Sequence, residues 1–190
     1  MALSLIAPAS EPVVSLASAK AWCKVEGNAN DLVLGELVLA AQRHIEQIIE
    51  RSLGEQTWRL TLDAFSDAIE LPKGPVTGIV TNSFTYRDVA GLQQIVDPAL
   101  YSLDLVSNPA WVVRNSDASW PALLDGVNAV SIEFTAGEGA ALCPPDLARA
   151  ILLLTAFWFD NREAVNVGNI INEVPFGVRS LTDPYRKIRI

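Results

Sequence analysis

Charge, histidine and cysteine are all scarce in this sequence, and each shortage closes off a class of chemistry. His44 is the one histidine among 190 residues, which excludes mechanisms and metal sites that need a pair of imidazoles. Cys23 and Cys143 are isolated, with no CxxC or Cys/His spacing. They read as small buried apolar side chains in a reducing compartment rather than as a disulfide framework or a zinc site. There is no GxSxG, no P-loop, no HExxH and no GxGxxG opening a helix. The GEG of Gly137 to Gly139 is too short to cradle a phosphate and reads as a turn. Charged residues make up 19% of the chain against about 25% in ordinary soluble domains. With 50% hydrophobic residues and a mean hydropathy of +0.26, the surface is expected to include contact area.

Long apolar runs are also missing. The most apolar stretch, AILLLTAFWFDNREAV from Ala150 to Val165, is free of charge only as far as Phe159. A membrane span needs roughly 20 apolar residues, so this helix is expected to bury itself in a protein core or against a partner chain. The start, MALSLIAPASEPV, has no basic residue before its apolar patch and so lacks a signal-peptide beginning. A cytoplasmic protein without membrane contact is expected.

The charges that are present are unevenly spread. Formal net charge is -8, which argues against general affinity for nucleic acid. The closing VRSLTDPYRKIRI nevertheless holds Arg179, Arg186, Lys187 and Arg189 against Asp183 alone, so a basic end follows an acidic body. Tyr185, Ile188 and Ile190 are interleaved with those charges. A solvated, disordered end is the plain reading, and a docking segment is the sharper one.

The hydrophobic period changes twice along the chain. Ser15 caps a short helix over LASAKAWCKV, closed by Gly27, and Asn28 or Asn30 caps a longer one. In the latter, Leu34, Leu37, Val38, Ala41, Ile45, Ile48 and Ile49 recur at helical spacing, with an end near Ser52 and Gly54 as C-cap. After Gly54 the period is two: TWRLTLDAF sets Trp58, Leu60 and Leu62 opposite Thr57, Arg59, Thr61 and Asp63. Short strands are predicted at Ala68 to Leu71, Ile79 to Arg87, Leu92 to Val96, Tyr101 to Val106, Trp111 to Arg114 and Val127 to Thr135, with turns too short for parallel crossovers. Pro144 or Pro145 then opens the final helix, which is expected to run to about Val165. NVGNIINEVPFGVRS shows no clear period. The predicted class is α+β: helical N- and C-terminal parts forming a small bundle, with an inserted antiparallel β-sheet or small barrel. The expected divisions are residues 1–54 (helices), 55–139 (β subdomain), 140–166 (helix completing the helical core) and 167–190 (loop and extended basic tail).

Paired carboxylates can serve as acid–base or metal sites. Asp160 and Glu163 share a helix face, but a solvated helix end explains them, and Asp63, Asp67 and Glu70 lack calcium-loop spacing. A small metal-dependent hydrolase is therefore a distant alternative. A ligand-binding module around Trp111 and Trp120 is another, although core packing explains those tryptophans more simply. No catalytic, cofactor-binding or metal site is expected, and no enzyme.

Several motifs in order carry a resemblance: EPVVSLASAKAWCKV, QTW at Gln56 to Trp58, LPKGPV, YRD at Tyr86 to Asp88, FTAGEG, the AILLLTAFWFDNREAV helix and VPFGVRSLTDPYR. Together they resemble the head-tail connector, or head-completion adaptor, proteins of long-tailed phages and gene transfer agents, in the longer type with an inserted β subdomain. The resemblance covers nearly the whole chain. It implies a structural protein of the particle neck, assembled in the host bacterial cytoplasm as a ring, a dodecamer in the particle. That ring lies beneath the portal protein, joins the next neck, stopper or tail-completion protein, and lets packaged DNA through without specific binding. It further implies that Arg179, Tyr185, Arg186, Lys187, Ile188, Arg189 and Ile190 dock on the portal, and that Phe157, Trp158, Phe159 and Arg162 contact a neighbouring subunit. Another neck or tail-completion component is the alternative within the same class.

Overall fold

The computed structural model describes residues 1–161 and 176–186. Contacts divide the chain into two compact units, Met1–Ser10 with Gly54–Glu138, and Glu11–Leu53 with Gly139–Ile190. The first is built of strands and the second of helices, an α+β fold with antiparallel sheets.

The strands of the first unit are β1 (Ala2–Ala7), β2 (Gln56–Leu62), β3 (Ala68–Leu71), β4 (Val76–Ile79), β5 (Thr85–Arg87), β6 (Gln93–Ile95), β7 (Tyr101–Asp104), β8 (Ala110–Arg114) and β9 (Val130–Ala136). One sheet has the order β1-β2-β9-β5-β6, with β4 also pairing β9, and a smaller one has the order β3-β8-β7. Because side chains alternate across a strand, each sheet offers one apolar face. Leu60 lies opposite Ile132 and Trp58 opposite Phe134. Leu60, Ile132 and Phe134 join Leu71, Val112 and Phe84 in a core to which both sheets contribute. Each fully buried side chain of this kind adds roughly 1.5–3 kcal/mol.

The first strand is a correction. Residues 1–54 were expected to be helical, yet ALSLIA lies along β2, with Ala2 opposite Thr61 and Leu5 opposite Trp58. Only Leu3 of this strand packs against the β core, which is why the period-two signal is weak.

A close approach fixes the end of β9. Gly137 has φ +97°, and a Cβ there would sit 2.0 Å from the carbonyl oxygen of Gly54. No L side chain fits. Gly54, expected as a helix C-cap, is instead the backbone neighbour that Gly137 must clear.

Two hairpin tips are latched by aspartates. Asp88 accepts from the Ala90 and Leu92 amides at 2.9 and 3.0 Å and from the Gln94 side chain at 2.9 Å. Asp104 accepts from the Val106 and Ser107 amides and from the Ser107 hydroxyl. Val89 and Val106 stand exposed on these tips, Val106 at 98%.

The helical unit comprises α1 (Leu16–Cys23), α2 (Asp31–Ile49), α3 (Pro145–Asp160) and α4 (Phe176–Thr182) among the described residues. Ser15 caps α1, its hydroxyl accepting from the Ser18 amide at 3.1 Å. Val38, Ile45 and Ile49 of α2 meet Leu147, Ile151 and Leu154 of α3 in a second core. A polar thread crosses it. The Gln42 Oε1 accepts from the Val13 amide, its Nε2 donates to Glu46 Oε1, and the same Glu46 oxygen accepts from the Leu53 amide at 2.8 Å. This thread turns the chain early: α2 stops at Ile49, with Glu50 left-handed at φ 56°, rather than near Ser52.

The C-terminal segment also differs from its expected loop and tail. Residues 176–182 form a helix, with Val178 and Thr182 fully buried. Val178, Leu181 and Tyr185 lie at three- and four-residue spacing on one side and pack on the helical core. Among the described residues no helix is long and apolar enough to cross a membrane.

Candidate functional site

Position along α3 determines what its aromatic end can touch. Leu147, Ala150, Ile151, Leu154 and Thr155 are buried, whereas Phe157, Trp158 and Phe159 are each half-exposed. Three consecutive residues point about 100° apart around a helix, so one core cannot cover all three. Trp158 turns inward and meets His44 of α2 edge-on, ring centroids 5.8 Å apart at 69°. The lone histidine is thus a packing partner, with its Nε2 buried and, among the described residues, without a hydrogen-bond partner. The described helix ends at Asp160 because the Asn161 side chain and amide both donate to the Phe157 carbonyl, at 2.8 and 3.0 Å. Arg162 and Glu163 lie outside the described residues, as does the expected continuation to Val165.

At the C-terminal end, Tyr185 packs on the helical core of its own chain, and its hydroxyl donates to Asp146 Oδ2 at 3.3 Å. Burial and the Asp146 carboxylate raise the phenol above its ordinary value. Arg179 and Arg186 are exposed; Arg186 approaches Asp183 at 3.6 Å, an exposed pair that holds it weakly. Lys187, Ile188, Arg189 and Ile190 lie outside the described residues.

A polar cleft of about 500 Å³, marked by no sequence motif, lies on the β unit. Arg59, Ser131 and Glu133 occupy the positions of β2 and β9 that alternate with core residues, and Thr85 and Arg87 of β5 continue the lining. Asn82 and Asn128 stand at its margins, both left-handed at φ 58°. Arg59 donates through Nε and Nη2 to Glu133 Oε1, at 2.9 and 2.5 Å. The alternation that marks β2 already placed Arg59 outward, but nothing in the linear order brings Arg87 into the same cleft.

The suggested aromatic ligand pocket is filled by side chains. Trp120 stacks on Phe65 with centroids 4.6 Å apart at 10°, and its indole N–H donates to the Ser66 carbonyl. Trp111 is a half-buried strand residue of β8. Asp67 pairs with Arg114, and Asp63 accepts from the Asn128 amide. Among the described residues, no group of three or more His, Cys, Asp or Glu is placed to hold a metal ion. Cys23 and Cys143 are free and half-buried, and burial raises both thiols above their ordinary value.

No protein-family model matches the sequence, and no curated protein matches it. Solved structures do. A chain from the neck of an empty GTA particle computed with C6 symmetry superposes with a TM-score of 0.79 at 27% identity, covering 100% of this chain and 97% of that one. A chain of the virion of a native gene transfer agent particle gives 0.78, and one from the neck of a native GTA particle computed with C12 symmetry gives 0.72, at the same identity and coverage. The likeness in fold to chains of gene transfer agent particle necks therefore spans the whole chain.

Proposed function

We propose that this protein is a structural component of the neck of a gene transfer agent or related phage-like particle, a head-tail adaptor that works as a ring and not as an enzyme. The observation that carries the reading is the superposition over the whole chain on a particle-neck protein, with 97% of that chain covered as well. C6 and C12 symmetry of the neighbouring necks supports a closed ring of identical subunits, dodecameric in the particle. In the finer reading, the ring sits beneath the portal protein and above the next neck or tail-completion protein, and DNA passes through its channel. A formal charge of -8 suits that passage, since acidic walls repel the phosphate backbone.

Two surfaces are proposed as contacts. Phe157 and Phe159 lie on sides of α3 that are half-covered and are offered to a neighbouring subunit, with Arg162, which follows them in the sequence, as a further contact. Arg179 and Arg186, with Lys187, Ile188, Arg189 and Ile190, form the basic segment offered to the portal. Tyr185 serves this segment as its anchor on the helical core rather than as a portal contact.

Light scattering after size-exclusion chromatography of the chain, alone and mixed with the portal protein of the same genome, tests the reading. Co-elution in a stoichiometric ring is expected. Absence of both self-association and portal binding would overturn it. Removing residues 187–190 is expected to weaken portal binding without unfolding the helical unit, because Val178, Leu181 and Tyr185 remain in place.

A further inference from the structure

We propose that the Arg59–Arg87 cleft of the β unit receives a carboxylate side chain from a second copy of this chain, forming one charged contact at each junction of the ring. This rests on the ring reading above and assigns it a specific surface.

The cleft is preformed. Its floor is β2, β9 and β5, and both marginal turns are fixed by hydrogen bonds: the Asn128 amide donates to Asp63 at 2.8 Å, and the Ser83 hydroxyl is within hydrogen-bond distance of the carbonyls of Val80 and Glu133. Donors dominate the lining. Arg59 spends Nε and Nη2 on one oxygen of Glu133, and among the described residues Arg87 has no acidic partner. Asn82, Asn128 and Gln93 add amide donors. With two arginines against one glutamate the lining carries +1, inside a chain of -8.

That contrast selects the occupant. Guanidinium forks match the two coplanar oxygens of a carboxylate and hold them more firmly than a point charge would. A nucleic acid would bring a line of phosphates across an acidic body and forfeit the counterion release that drives such binding. A free carboxylate must find the cleft from bulk solution, whereas one borne on an adjoining copy is present at high effective concentration. Each copy also has 22 acidic side chains against 14 basic ones, so copies repel unless a cation is placed where they meet.

Assembly of the full chain on portal rings, read by light scattering at low and high salt, tests this together with a melting curve for every variant. Wild type is expected to form the ring, more weakly at high salt. Arg87→Glu should lower association between copies by at least about tenfold at unchanged melting temperature, because it places a like charge against the incoming acid. Arg87→Lys should fall between the two. Glu133→Gln should strengthen association, a direction that simple damage to the sheet would not produce. Normal assembly by Arg87→Glu overturns the proposal while the ring reading stands; so does Glu133→Gln weakening assembly as Arg87→Glu does. Retention of a short DNA duplex that is lost in Arg87→Glu, with assembly unchanged, would assign the cleft to phosphate and equally overturn it. If wild type itself fails to assemble on the portal, the ring reading falls and takes the proposal with it.

Discussion

The two units of this chain solve burial in opposite ways. In the β unit, β9 buries Val130, Ile132, Phe134 and Ala136 and turns Ser131, Glu133 and Thr135 away, so the outward face of this strand is polar. In the helical unit, α3 is apolar almost all round and leaves Phe157 and Phe159 half-covered. A sheet can present a fully polar face while filling its core, whereas a helix apolar on most sides places some apolar surface outside the core it packs on. On the proposed reading, the outward face of β2, β9 and β5 offers a charged contact and the end of α3 an apolar one.

The largest expected effects come from opening each core. Ile132→Ala in the β unit and Leu154→Ala in the helical unit are both fully buried truncations and should each cost about 2–5 kcal/mol. Hydrogen exchange by mass spectrometry should show faster exchange chiefly in strands for the first and chiefly in helices for the second. Equal loss of protection in both units from either variant would erase the distinction drawn above.

Gly137→Ala sharpens it at the end of β9. Strain at φ +97° and the 2.0 Å approach to Gly54 should together cost on the order of 3 kcal/mol. Chemical denaturation would check this, and an unchanged midpoint would contradict the close approach.

Glu46→Ala probes the buried thread of the helical unit. It strands the Leu53 amide and the Gln42 side chain, with an expected cost of about 1–3 kcal/mol. Glu46→Gln, which keeps an acceptor oxygen, should lose less.

The smallest effect is confined to the hairpin tips. Hydrogen bonds from Gln94 and the Leu92 amide lower the Asp88 pKa, and bonds from the Ser107 side chain and amide lower that of Asp104. A carboxylate depressed in the folded state contributes stability above its unfolded value and loses that contribution as pH falls through its folded one. Amide exchange at Ala90, Leu92, Val106 and Ser107 should therefore accelerate relative to core amides only below the ordinary aspartate range.

What was legible in the sequence follows from how local each cause is. The period of two in TWRLTL and the helical spacing of Leu34 to Ile49 are local, and both elements form. β1 escaped because only Leu3 faces the core, and α4 escaped because Val178, Leu181 and Tyr185 mark a face too short to stand out from a loop. The end of α2 depended on Glu46 reaching the Leu53 amide, a side-chain contact with no sequence period. The cleft was illegible for a stronger reason: Arg59 and Arg87 come to line one cleft only through a β9 strand that comes after both.

That pairing has a kinetic consequence. β2 and β5 both wait for β9, with Gln56 registered against Ala136, so the sheet closes only after most of the chain exists. α2, whose apolar side is completed by α3, waits longer still, since α3 follows β9 in the chain. During synthesis the helical stripe of Val38, Ile45 and Ile49 is thus bare while the strands assemble, and the order of the two units along the chain makes the β unit the first to mature and the helical unit the last.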